Sequence, residues 1–194
     1  LLLNIIAHNF ISVCYLLGGL WLIQGVNTLL GKRLNYLGIY PRHLIGVPGI
    51  VFCPLLHADF NHLFFNSVPL FILMNLILSG GWYYFIVVTL GITLLSGFFI
   101  WCVGRPAIHV GASALIMGYW SFLLMNTYQH PSAFSLILAV LTLYYLGSLV
   151  IHLFPSEAGV SWEGHLSGFG AGILMAWGFP WIESWMRPFL NSFL

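Results

Sequence analysis

Charge is nearly absent from this sequence. Of 194 residues, five are Lys or Arg and four are Asp or Glu, 5% in all, against 60% hydrophobic. The mean hydropathy is +0.99. A soluble domain carries about a quarter charged residues. The composition therefore excludes an ordinary soluble fold and describes an integral membrane protein, with the lipid bilayer as its solvent. A net charge of +1 leaves no basic surface for nucleic acid. Aspartate occurs once, at Asp59, so a catalytic pair of aspartates is excluded. His-Glu-x-x-His does not occur, so a zinc protease lacks its signature. Cysteine is scarce: Cys14, Cys53 and Cys102 are far apart, odd in number and without metal-ligand spacing, and are expected to be buried apolar thiols. Leu1–Phe10 has no basic residue ahead of its apolar run, which argues against a cleaved signal peptide; the missing initiator methionine suggests a trimmed chain.

What is present is a series of long apolar runs. A span needs about 20 apolar residues. Asn9 to Leu30 supplies the first. Gly31 to Asn61 breaks the pattern with Lys32, Arg33, Arg42, Asp59 and three prolines, and is expected to be an interfacial loop with short helices. No charge occurs from Phe60 to Gly104, enough for two spans, His62–Leu78 and Trp82–Val103, turned at Ser79-Gly80-Gly81. After Arg105-Pro106, a fourth span begins at Ser113. Asn126 to Pro131 separates it from a fifth, Ala133–Phe154. Pro155 to Glu163 is a polar loop, and Gly164–Trp181 is the sixth. The expected fold is all-α: one domain over residues 1–194, with six transmembrane helices.

Six spans alternate in direction, so spans two, four and six start on the same membrane face. His62 opens the second, Ser113 the fourth and His165 the sixth, and Asn66 lies one helical turn after His62. Parity alone gathers these polar groups near one face. Gly164, Gly168 and Gly172 form a small-residue stripe on span six, and Ala114 and Gly118 a shorter one on span four; such stripes allow close helix approach. If they face each other, Ser113 and His165 come together.

Hydrocarbon tolerates polar groups at a cost, which makes such a pair a functional candidate. A serine hydroxyl needs a base, and His165 can supply it. Ser113 at a helix start also has free backbone N–H groups able to hold an oxyanion. Gly111 lets the backbone approach a carbonyl, and His62 and Asn66 are suitable side-chain donors. With no carboxylate inside span six, a Ser–His dyad is expected rather than a triad. Glu163, two residues before His165, is expected to be solvated. His109 is a competing base, disfavoured by its loop position, and His57 is expected to be structural. His62, His109 and His165 could be drawn as a metal site, but nothing in their spacing demands one, so neither metal nor cofactor is expected. A proton-relaying transporter is the rival class; it would show inverted repeats, and none is evident.

His62-x-x-x-Asn66, Gly111-x-Ser113 and His165-x-x-Gly168-x-x-x-Gly172, in that order on alternate spans, resemble the rhomboid family of intramembrane serine proteases, and within it the bacterial GlpG type. The resemblance covers nearly the whole chain. It implies Ser113 as nucleophile and His165 as general base and acid. It also implies an oxyanion hole of His62, Asn66 and the Ser113 backbone N–H, with Gly111 beside it. The substrates it implies are transmembrane segments of other proteins. Location in a bacterial inner membrane follows, with a cavity open to the periplasmic side under a loop around Pro155 to Trp162. A non-catalytic rhomboid-like protein that binds transmembrane clients is the alternative. The sequence departs from the family at Val47-Pro48-Gly49-Ile50, where a Trp-Arg pair is common, and at Ser79-Gly80-Gly81-Trp82, where Glu-x-Arg usually stands. It departs again at Met117, where an aromatic usually stacks on the histidine; Tyr119 lies two residues on. Lys32, Arg33, Arg42 and Arg105 lie on the active-site face and only Arg187 opposite. By the positive-inside rule alone that face would be cytoplasmic; the resemblance places it outside, and that orientation is adopted.

Overall fold

A computed structural model describes residues 2–147 and 161–191. Its elements are α1 (Leu2–Leu29), α2 (Gly49–Phe52, a single turn), α3 (Phe60–Leu78), α4 (Trp82–Val103), α5 (Ser113–Gln129), α6 (Ala133–Leu146) and α7 (Trp162–Asn191). The described residues are all-α, without a strand; one isolated backbone bridge joins Ile39 and His109. Among the described residues, three helices are long and apolar enough to cross a membrane: α1 over Ala7–Leu29, α3 and α4.

The ends of α4 fall where the sequence put them, at the Ser79–Gly81 turn and at Val103. The first helix starts earlier than expected, at Leu2, and the last continues beyond Trp181 to Asn191, with Pro180 and Pro188 inside it. Residues 148–154 of the expected fifth span and 155–160 of the expected cap loop lie outside the described residues.

The core is built around α5. Nine consecutive residues, Ala114 to Phe122, are buried, as expected of a helix covered on every side. Leu63, Leu70 and Leu73 from α3, Phe85, Val88 and Ile92 from α4, and Ala171 and Met175 from α7 close around it. By contrast α1 packs through one face onto α3, with Trp21 Nε1 donating to Ser67 Oγ (3.1 Å) and Asn9 Nδ2 to Asn75 O (3.3 Å). This one-sided packing corrects the expectation for Cys14, which is exposed, while Cys53 alone is fully buried among the three thiols.

Residues 31–59 form short helical turns, as expected of an interfacial loop. Val47–Ile50 holds no Trp-Arg pair, yet a tryptophan and an arginine from elsewhere fasten this loop. Trp101 Nε1 donates to His43 O (3.0 Å), and Arg42 donates to the carbonyls of Cys102 (3.3 Å) and Gly104 (2.8 Å) at the end of α4. Asn27, at the last turn of α1, donates to Asn35 (2.8 Å), which in turn donates to His57 O (3.3 Å). The loop is thereby fixed to both neighbouring helices, and it leads directly into the turn that carries His62.

Candidate active site

Asp59 caps α3: its Oδ1 accepts the backbone N–H of His62 at 2.8 Å. The cap fixes the helix start, so His62 sits in the first turn and Asn66 one turn further on the same side. Asn66 is buried, and its Nδ2 has no hydrogen-bond partner among the described residues. A buried unpaired amide donor is costly, which leaves it able to serve a bound acceptor.

The neighbour of both side chains is Gly111. Its φ is +126°, a region that L side chains rarely adopt. A Cβ there would stand 2.6 Å from His62 Cε1, 2.9 Å from His62 Nε2 and 3.8 Å from Asn66 Nδ2. Gly111 is held from below by Cys53, whose carbonyl accepts the Gly111 N–H at 3.0 Å. The Cys53 thiol lies 3.7 Å from Gly111 O, and burial pushes it up to about 12, so it stays protonated and is no rival nucleophile. Two residues on, Ser113 is the first residue of α5 and half-buried. The first intrahelical bond there runs from Ile116 N to Ala112 O (2.9 Å), which leaves the N–H groups of Ser113 to Leu115 as the unpaired donors of the helix start.

The small-residue stripes of α5 and α7 do face each other. A Cβ on Gly168 would strike the Ala114 backbone, and one on Gly172 would strike Gly118 O and Ser121 Oγ. Ser121 Oγ donates to Phe169 O at 2.7 Å across the same seam. Both glycine contacts have an offset of 54 residues, so the helices run parallel in one register. That register sets His165 level with Gly111, two residues or about 3 Å of rise from Ser113. His165 is half-buried, in the first turn of α7. Gly111, His62 and Asn66 are thus brought into direct contact range, Ser113 joins them through the chain, and His165 joins them through the helix register.

Sequence reasoning missed two features. His57 is fully buried, edge-on to His62 with ring centroids 5.2 Å apart. Burial, with the neighbouring His62, pushes it down to about 4 despite the opposing charge of Asp59. Glu163, expected in solvent, is instead 8% exposed, with Oε1 3.4 Å from Arg105 Nε. Its carboxylate is buried because a cation 58 positions earlier reaches it, and no local pattern signals that. His109 is not free to act as a base: its ring nitrogens engage Ser161 Oγ and Arg105 O, each at 3.0 Å. Nor does Tyr119 stand in for the missing aromatic; its hydroxyl pairs with Thr89 at 2.6 Å and its ring packs on Phe85. No cluster of metal-ligating side chains occurs among the described residues.

A helical membrane protein with a serine at a buried helix start and polar donors converging beside it falls in the class of intramembrane bundles with an internal polar site. The family model of the Rhomboid domain matches residues 46–181, and the chain belongs to the rhomboid family, whose members are generally serine intramembrane proteases acting on transmembrane substrates. Uncharacterized proteins of Mycobacterium tuberculosis and Mycobacterium bovis are each 35% identical over 167 residues, 81% of this chain and 70% of theirs. One of Mycobacterium leprae is 32% identical over 167 residues, 81% of this chain and 66% of its own.

Proposed function

We propose that this chain is a rhomboid endopeptidase of the GlpG type that cleaves transmembrane segments of other membrane proteins. It would span a bacterial inner membrane six times, as one domain, with its active site toward the periplasm. Ser113 Oγ attacks the scissile carbonyl, and His165 takes the hydroxyl proton and passes it to the leaving amine. Water then hydrolyses the Ser113 ester, with His165 again moving the proton. The tetrahedral oxyanion is held by the backbone N–H at Ser113 and by the side chains of His62 and Asn66, with Gly111 leaving room for the carbonyl. No metal or cofactor takes part.

The observation that carries this reading is the buried, unpartnered Asn66 amide beside Gly111, two residues from a serine at a helix start. Other buried polar atoms, on Gln24 and Trp120 among them, are also unpartnered among the described residues; what sets Asn66 apart is its place beside Gly111. The test is cleavage of a single-span substrate in liposomes by the intact protein and by Ser113→Ala. Cleavage by the first alone supports the reading. Equal cleavage by both removes Ser113 as nucleophile, and binding without cleavage by either would favour a client-binding protein.

A further inference from the structure

The chain has four acidic residues in all, and one of them is buried two positions before the proposed base. Glu163 Oε1 is 3.4 Å from Arg105 Nε, and its Oε2 accepts from Ser161 Oγ at 3.4 Å. Ser161 caps α7: its Oγ accepts the Gly164 N–H at 3.2 Å, and its carbonyl accepts the His165 N–H at 3.2 Å. The same hydroxyl lies 3.0 Å from His109 Nδ1. His109 Nε2 faces Arg105 O at 3.0 Å, and a carbonyl only accepts, so Nε2 carries a proton. The His109 backbone is itself pinned to Ile39 in both directions, at 2.8 and 3.0 Å. Residues 105–109 are therefore a fixed platform, and the chain leaves it straight into Gly111 and Ser113.

We infer that Arg105, His109, Ser161 and Glu163 form a positioning brace. It locks the first turn of α7, and with it His165, to the segment that carries Ser113. This rests on the protease reading above for its purpose. In a triad a carboxylate bonds the imidazole itself. Here the carboxylate lies in the preceding turn and orients the helix start, so that one short segment, 105–113, both delivers the nucleophile and fixes the base. Because effective molarity depends on sub-ångström placement, a loosened brace slows the chemistry and leaves substrate binding intact.

The test uses the intact protein in detergent micelles with Glu163→Gln, Ser161→Ala, Ser161→Thr and His109→Asn. Two quantities are read: the rate at which a fluorophosphonate labels Ser113, and the imidazole 15N resonances of His165, assigned with His165→Asn. Thermal melting shows which variants fold; if Glu163→Gln does not, Ser161→Ala, which removes one hydroxyl, carries the test. Labelling is expected to slow on the order of 10- to 100-fold in Ser161→Ala and Glu163→Gln, with the His165 resonances shifted or broadened. Ser161→Thr, which keeps the hydroxyl, restores both. Where the intact protein labels, a variant that leaves either quantity unchanged overturns the brace and leaves the protease reading standing. Where the intact protein does not label, the protease reading fails, and the His165 resonances decide alone: movement in the variants sustains the brace, and none overturns it.

Discussion

The imidazole of His62 lies against Gly111: a Cβ at that glycine would come within 2.6 Å of His62 Cε1. The two residues are 49 positions apart, and what joins them is the 31–59 loop, since Cys53 holds the Gly111 backbone at 3.0 Å and Asp59 caps the turn that carries His62. Gly111→Ala therefore suffers twice, from a φ of +126° and from the clash. Fluorophosphonate labelling of Ser113 is expected to fall by at least about 10²-fold, as after loss of an oxyanion donor, in a protein that still folds.

Asn66→Ala separates function from stability. Because Asn66 Nδ2 has no partner among the described residues, its removal breaks no hydrogen bond there and relieves a buried unpaired donor. The melting temperature should stay level or rise, while kcat falls about 10²-fold with little change in KM. A loss of stability with kcat intact would make Asn66 a packing residue.

Gly168→Ala tests the seam. The added methyl would overlap the Ala114 backbone, which cannot yield as a side-chain tip can, so α5 and α7 must part. Lower thermal stability and loss of cleavage should appear together. Gly170, which has open space around its Cβ position, is the control and should tolerate alanine.

His57 gives a pH signature. Its folded value, about 4, lies below the ordinary 6.5, so between these two the unfolded chain binds the extra proton. The stability is fully present above about pH 6.5 and is lost as pH falls toward 4, on the order of 3 kcal/mol in all. Melting temperatures measured from pH 7.5 to 4 should fall more steeply for the intact protein than for His57→Gln. Parallel curves would count against a buried neutral His57.

The all-α architecture and the start of α5 at Ser113 were legible because apolar run length, glycine turns and a paucity of charge are local signals. The small-residue stripes of Gly168 and Gly172 and of Ala114 and Gly118 were legible as residue size along two helices, but that they face each other is given only by the packed helices. Glu163 was misjudged because burial of a carboxylate depends on Arg105, a distant partner that no periodicity reveals. The burial of His57 was not legible for the same reason: it lies against the His62 ring and is tied to Asn35, contacts that no local pattern reveals. The extra length of α7 is not legible because the apolar run ends near Trp181, while the helical backbone continues through Glu183 and Pro188 to Asn191.

On the proposed reading, Ser113 is a nucleophile activated by His165. The most direct measurement is the mass of the protein after reaction with a fluorophosphonate, with the adduct mapped by peptide sequencing. One adduct per chain is expected, on Ser113, absent in Ser113→Ala and reduced to background in His165→Ala. An adduct at another residue, or one on Ser113 that forms at an unchanged rate without His165, would contradict it.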